Sequence, residues 1–196
     1  MSDNLSWQEA LARLKKGNEN FVADHLDGKL QNSSRRGELT KGQDPFAIIL
    51  SCADSRVVPE LAFDTGLGEL FVIRVAGNVA NTSTIASIEY AVANLKAHLI
   101  IVMGHESCGA ITAALAGGDN GQNLNHLLSH VHPALEASDD KEVNSVVKTN
   151  AKMTAEYLQN NSSIIGEAVR EGSTKVLPAY YNLKTGKVDF MEEELA

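Results

Sequence analysis

With 196 residues, the chain is long enough to form one domain with a sizeable core, burying roughly 70% of its unfolded surface. Its 25 acidic and 17 basic residues give a formal net charge of -8, which argues against nucleic acid or an anionic membrane as the main partner. Two cysteines make no disulfide framework, and no run reaches the ~18 apolar residues that a membrane span needs.

Residues 1–4 run straight into charged positions with no apolar signal core, so a cytoplasmic protein is expected. Residues 5–24 predict an amphipathic helix: Leu5, Trp7, Leu11, Leu14 and Phe21 recur at helical spacing, and Ser6 with Glu9 fits a capping box. Residues 25–44 are polar and carry Gly28, Gly37 and Gly42; they read as loop, with room for a turn of helix at 36–41. Residues 1–44 are thus expected to form a helical arm and loop, the helix packing on a neighbouring surface rather than in its own core. Residues 45–196 are expected to form the α/β core of a single domain spanning 1–196.

Three short apolar runs follow, at 46–51, 70–75 and 99–103, each suited to a parallel strand covered on both faces. Between the second and third, Ile85, Ile88, Val92 and Leu95 mark a helix over 83–96, and an Ala-rich helix over 109–116 follows the third. The remainder predicts helices at 122–136 (broken by Pro133), 142–160 and 163–170, then a fourth strand at 175–181 and a last short one at 188–191. The expected fold is α/β: a mostly parallel sheet of four strands with a short C-terminal edge strand, and helices on both faces.

The only two cysteines lie in Cys52-Ala53-Asp54-Ser55-Arg56 and His105-Glu106-Ser107-Cys108, each segment ending an apolar run. Two thiolates and an imidazole suit zinc, and a Cys2His set leaves a fourth position open, as in catalytic sites. Ligand sites in open α/β sheets form outside the carboxyl ends of strands where strand order reverses. If the first and third strands are neighbours, one crevice gathers Cys52, Asp54, Arg56, His105 and Cys108. Cys108 would also gain from a helix N-terminus, which favours thiolate. A Cys52–Cys108 disulfide is the plainer alternative, but it leaves the adjacent Asp, Arg and His unexplained.

Together, Cys52-x-Asp54-x-Arg56 and Gly104-His105-x-x-Cys108-Gly109 resemble the β-class carbonic anhydrases. The segments Gly68-Glu69-Leu70-Phe71-Val72-Ile73-Arg74 and Ile88-Glu89-Tyr90-Ala91-Val92 are similar to family segments in the same order, and the likeness spans about residues 7–190. It implies reversible hydration of CO2 to bicarbonate and a proton by attack of a zinc-bound hydroxide, with one Zn2+ per subunit on Cys52, His105 and Cys108. It further implies that Asp54 pairs with Arg56 in an open form and becomes the fourth ligand in a closed form. Phe71 and Tyr90 would line the CO2 pocket, Gln43 would hydrogen-bond the substrate, and Gly109 would let the backbone approach the site. The family pocket straddles a dimer boundary, so a homodimer or a dimer of dimers is implied. Ile49 stands where family members with a non-catalytic bicarbonate site carry Trp, which implies the plant-like subtype.

Plainer readings compete at several positions. The plainer reading of Asp54–Arg56 is a surface ion pair, of Phe71 and Tyr90 core aromatics, of Gln43 a solvated loop residue and of Arg74 a structural residue. His126, His130 and His132 read as surface histidines. A hydrolase of carbonyl sulfide or carbon disulfide on the same scaffold is the alternative function, and a non-catalytic zinc protein is another. A dinucleotide-dependent zinc dehydrogenase fails because Gly66-Leu67-Gly68 runs into a strand and lacks its third glycine.

Overall fold

The computed structural model describes residues 5–191; residues 1–4, read above as free of a signal core, lie outside that range. Helix α1 (Trp7–Val22) opens on the expected capping box, the Glu9 N–H donating to Ser6 Oγ and the Ser6 N–H to the Glu9 carboxylate. The linker contains α2 (Ser33–Glu38), capped by Asn32, and a 3-10 turn at Leu39–Lys41.

The core alternates as follows: β1 (Ala47–Ser51), α3 (Pro59–Ala62), β2 (Leu70–Arg74), a 3-10 turn at Ala76–Asn78, α4 (Thr82–Leu95), β3 (Leu99–His105) and α5 (Gly109–Ala116). Then come α6 (Gln122–Ser129), α7 (His132–Ala137), α8 (Val143–Asn161), α9 (Ser163–Arg170), β4 (Lys175–Tyr181) and β5 (Val188–Phe190). Strand order is β2-β1-β3-β4-β5, with β1 to β4 parallel and β5 antiparallel. Most boundaries fall within a residue or two of the sequence expectation. The break at Pro133 falls earlier, because proline suits the first turn of α7. β3 runs on to His105 because Gly104 and His105 still pair with Tyr180 and Tyr181. A Cβ at Gly104 would lie 2.7 Å from Val147 Cγ1, so α8 packs directly on that backbone.

The strand period of two divides the core. Ile49, Leu99, Ile101, Met103 and Leu177 face one layer with α1 and Phe63; Ile48, Leu50, Ile100, Val102 and Val176 face the other with α4, α8 and α9. The β1–β2 crossover thus lies on the α1 face and the β2–β3 crossover on the opposite face. Strand order reverses between β1 and β3, and a crevice opens outside their carboxyl ends.

Two expectations are corrected. Helix α1 does not stand away from its own core: Ala10, Leu11 and Leu14 are buried against Ile49, Phe63 and Leu99. Buried Asn18 ties it further, donating to the carbonyls of Ala62 (3.0 Å) and Gly186 (2.8 Å) and accepting from the Val188 N–H (2.8 Å). Arg13 pairs with Glu69 at the start of β2. The polar linker is long, but closing a longer loop adds little entropic cost. Second, β2 is covered only in part: Leu70 and Val72 pack on one layer and Phe71 and Ile73 on the other, but all four are only partly buried at the sheet edge. Among the described residues no helix is long and apolar enough to cross a membrane.

Candidate metal centre

β1 ends one residue before Cys52, and β3 ends on His105. Parallel pairing aligns these ends, with Ser51 opposite Met103. Three residues on, Cys108 caps α5. The turn between His105 and Cys108 requires Ser107 to take a left-handed conformation (φ 53°), and its N–H is held by Asn144 Oδ1 at 2.9 Å. One ligand atom from each of Cys52, His105 and Cys108 lies within 4.8 Å of the others, and the three residues are 4%, 0% and 1% exposed.

The geometry fits a tetrahedral metal. The two Sγ atoms are 3.9 Å apart, close to the ~3.8 Å between two thiolates bound at ~2.3 Å to one tetrahedral zinc. A disulfide needs ~2.05 Å, and both cysteines are free. His105 Nδ1 bonds the Glu106 carbonyl at 2.9 Å, which leaves Nε2 to the cluster. That Nε2 is buried and makes no hydrogen bond. A buried, unpaired ring nitrogen is costly unless a ligand completes it, and a metal-bound imidazole is commonly anchored through its other nitrogen.

The two thiols lie within hydrogen-bond reach, so a proton on either sulfur can bridge to the other. Cys52 is pushed down, first by the hydrogen bond from Cys108 and then by His105 and the N–H groups of Gly77 and Asp54. Cys108 is pushed up by that same hydrogen bond, by burial and by the Cys52 charge. The amides of Ala110 and Ile111 at the start of α5 do pull it down, as expected of a helix N-terminus, but the pairing outweighs them. A cation binding both sulfurs would displace that proton.

Asp54 stands at the rim, its Oδ2 3.8 Å from His105 Nε2. Arg56 holds it bidentately, Nε to Oδ1 at 2.9 Å and Nη2 to Oδ2 at 2.7 Å, and the Arg56 N–H also donates to Oδ1. These bonds keep the carboxyl well below the usual carboxylate range. The pair forms a bidentate clamp beside the cluster, with the Arg56 side chain half-exposed. Arg74 serves the loop's backbone, donating to the carbonyls of Cys52 (3.1 Å) and Asp54 (2.6 Å). Gly109 begins α5, and a Cβ there would meet no atom within 4 Å, so packing does not demand a glycine.

The remaining candidates lie elsewhere. Gln43 and Tyr90 line a surface groove with Leu39, Leu67, Gly68 and Leu95, and the Phe71 ring lies 6.3 Å from that of Tyr90. None of the cluster residues lines it. Gln43 precedes β1 whereas Cys52 follows it, so the four steps of that strand alone separate them by ~13 Å. Tyr90 is 51% exposed and is no core aromatic. His126 and His132 are exposed as expected. His130 is not: its Nε2 is buried beside Pro133 and Tyr157.

Sequence reasoning missed the groups that hold the cluster from outside, namely the Glu106 carbonyl, the Gly77 N–H and Asn144. Backbone groups leave no residue signature. Asn144 stands out only once α8 is known to cross the His105–Cys108 turn.

A carbonic anhydrase family profile matches residues 47–188. Carbonic anhydrase 2 of Mycobacterium tuberculosis is 38% identical over 181 residues, spanning 89% of this chain and 87% of the relative. Among solved structures, the Coccomyxa β-carbonic anhydrase in complex with acetazolamide superposes with a TM-score of 0.73 at 26% identity, covering 92% of this chain and 86% of that one. A tetrameric β-carbonic anhydrase of Sordaria macrospora shares the fold, with a TM-score of 0.75 at 24% identity over 94% of this chain and 96% of its own. With Cys52, His105 and Cys108 gathered where β1 and β3 end, and relatives that span nearly its whole length, the chain belongs to the β-class carbonic anhydrase family and is an enzyme of that family.

Proposed function

We propose that this chain catalyses reversible hydration of CO2 to bicarbonate and a proton, with one Zn2+ per subunit held by Cys52, His105 and Cys108. The observation that carries the reading is the unpaired His105 Nε2 facing two thiols, next to a carboxylate clamped by Arg56. Bound there, zinc supplies a Lewis acid that brings the pKa of a water molecule toward ~7.

The chain's own residues do the rest. Asp54, kept ionised by Arg56, accepts a hydrogen bond from the attacking water and so turns a lone pair toward the CO2 carbon. One O–H bond breaks and one C–O bond forms as one C=O π pair moves onto its oxygen, and the proton leaves for solvent. Arg56 has a second task, holding Asp54 off the cluster; losing that clamp would free the carboxylate to occupy the fourth position and shut the site. His105 is fixed in orientation by the Glu106 carbonyl. Gly109 adds no side chain beside the site.

Gln43, Phe71 and Tyr90 complete the pocket from a second copy of the chain. Support comes from the separation of Gln43 from its own Cys52, from the part-exposed apolar strand β2, and from exposed Leu61, Leu67 and Tyr90 beyond it. Exposed apolar side chains grouped together suit an interface, Leu67 and Tyr90 line one groove, and the tetrameric Sordaria relative supports an oligomer. Ile49, fully buried under α1, leaves no Trp for a non-catalytic bicarbonate site.

Stopped-flow CO2 hydration by zinc-loaded protein, beside Asp54→Ala, tests the proposal. Fast turnover that is largely lost in the variant is expected. Stoichiometric zinc and an intact oligomer with no CO2 turnover would overturn it, and carbonyl sulfide would then be the substrate to try.

A further inference from the structure

Among the buried polar residues that have no part in the chemistry above is Asn150, on α8. The inner face of α8 is a stripe of Val146, Val147, Ala151, Ala155 and Leu158, interrupted by Asn150 and Thr154. Asn150 is 2% exposed. A buried side-chain amide is retained only where its donors and acceptor find partners. Here the Asn150 Nδ2 donates to the Gly77 carbonyl at 2.9 Å.

Gly77 is the link to the metal centre. It lies in the turn after β2 with φ 73° and ψ 10°, in left-handed territory that glycine alone enters freely. A Cβ there would also lie 3.3 Å from that of Ala110, at the start of α5. In this conformation the Gly77 N–H points at Cys52 and donates to its Sγ at 3.4 Å. The same residue thus receives a hydrogen bond from α8 at its carbonyl and gives one to the first sulfur at its amide.

We infer that Asn150 is a positioning residue for the metal centre: it fixes the left-handed Gly77 turn, so that the turn's N–H is held against the Cys52 sulfur. The inference rests on the reading of Cys52 as a metal ligand. An N–H···S bond withdraws charge from a thiolate and restricts the Cβ–Sγ rotation, so it sets both the donor strength and the direction of that ligand. Asn144, six residues earlier on the same helix, holds Ser107 between the other two ligands. It is exposed, so water can replace it there. Buried Gly77 has no such substitute.

The test uses full-length protein with Asn150→Ala and Asn150→Ser, and Thr154→Val as a control on the same buried stripe. Zinc dissociation constants are measured by competition with a chromophoric chelator. Thiolate-to-metal charge-transfer absorption is recorded on the cobalt(II)-loaded proteins. Loss of Asn150 should weaken zinc by about 10- to 100-fold, in line with other groups that orient metal ligands. It should also shift the sulfur-to-cobalt band, while Thr154→Val leaves both unchanged. Wild-type affinity and an unshifted band in the Asn150 variants would overturn the inference. Failure of both Asn150 variants to fold would also overturn it, since the residue would then serve the fold alone. Failure of the wild type to bind either metal would instead refute the metal reading itself.

Discussion

The two ends of β1 differ in kind. At its carboxyl end Cys52, His105 and Cys108 are buried, oriented and within reach of one another in a single chain. At its amino end Gln43 and half-exposed Tyr90 line an open groove that touches none of them. The first end is built from strand termini and a helix cap, which the fold fixes rigidly. The second is built from the linker, the loop before β2 and the outer face of α4, and under the proposed function a second copy completes it. Metal binding should therefore be a property of the protomer, and turnover a property of the assembly.

The contrast breaks most sharply at the carboxyl end. His105→Ala should abolish stoichiometric zinc and lower CO2 hydration by more than the ~100-fold typical of groups that merely orient ligands. Metal analysis with stopped-flow rates checks this, and retained zinc would contradict it. Next comes the brace beneath the sheet. Leu14→Ala opens a cavity where α1 meets Phe63 and Leu99, and should cost about 2–5 kcal/mol in chemical denaturation while zinc stoichiometry holds. A near-neutral result would place α1 off its own core.

At the amino end, Gln43→Ala should lower kcat/KM by about tenfold, the worth of one well-made hydrogen bond, with zinc content unchanged. An accompanying loss of zinc would erase the distinction between the two ends. The smallest effect lies away from both. Burial, and then the neighbouring His126, push the His130 pKa down, so the folded state favours its neutral form. That stabilisation is full above the unfolded value of ~6.5 and is lost as pH falls through the folded one. His130→Gln should therefore reduce the drop in Tm between pH 7.5 and 5.5, by differential scanning fluorimetry; an unchanged drop would count against the burial of that ring.

The pattern of what the sequence revealed follows the same division. Strands and the gathering of Cys52, His105 and Cys108 were legible because apolar runs and strand-ending Cys and His are local signals, and the sheet brings their ends together without further information. The placement of α1 was not, because a helix with an apolar stripe says that it is buried but not against what. The coverage of β2 was misread for a related reason: Leu70-Phe71-Val72-Ile73 is as apolar as a central strand, yet it stands at the edge. Both errors concern long-range packing, which periodicity does not encode. Asn150 was legible in principle, as a polar residue inside an apolar helical stripe, but its partner is a backbone carbonyl.

The most direct test is complementation between the two ends. His105→Ala and Gln43→Ala chains, differently tagged, are co-expressed and the mixed oligomer is purified through both tags. One composite site in each mixed dimer then carries all three intact ligands and an intact Gln43, so roughly half the wild-type rate per dimer should return. A mixed oligomer no faster than the Gln43→Ala parent would mean that each chain supplies its own Gln43, and that the site is not shared between copies.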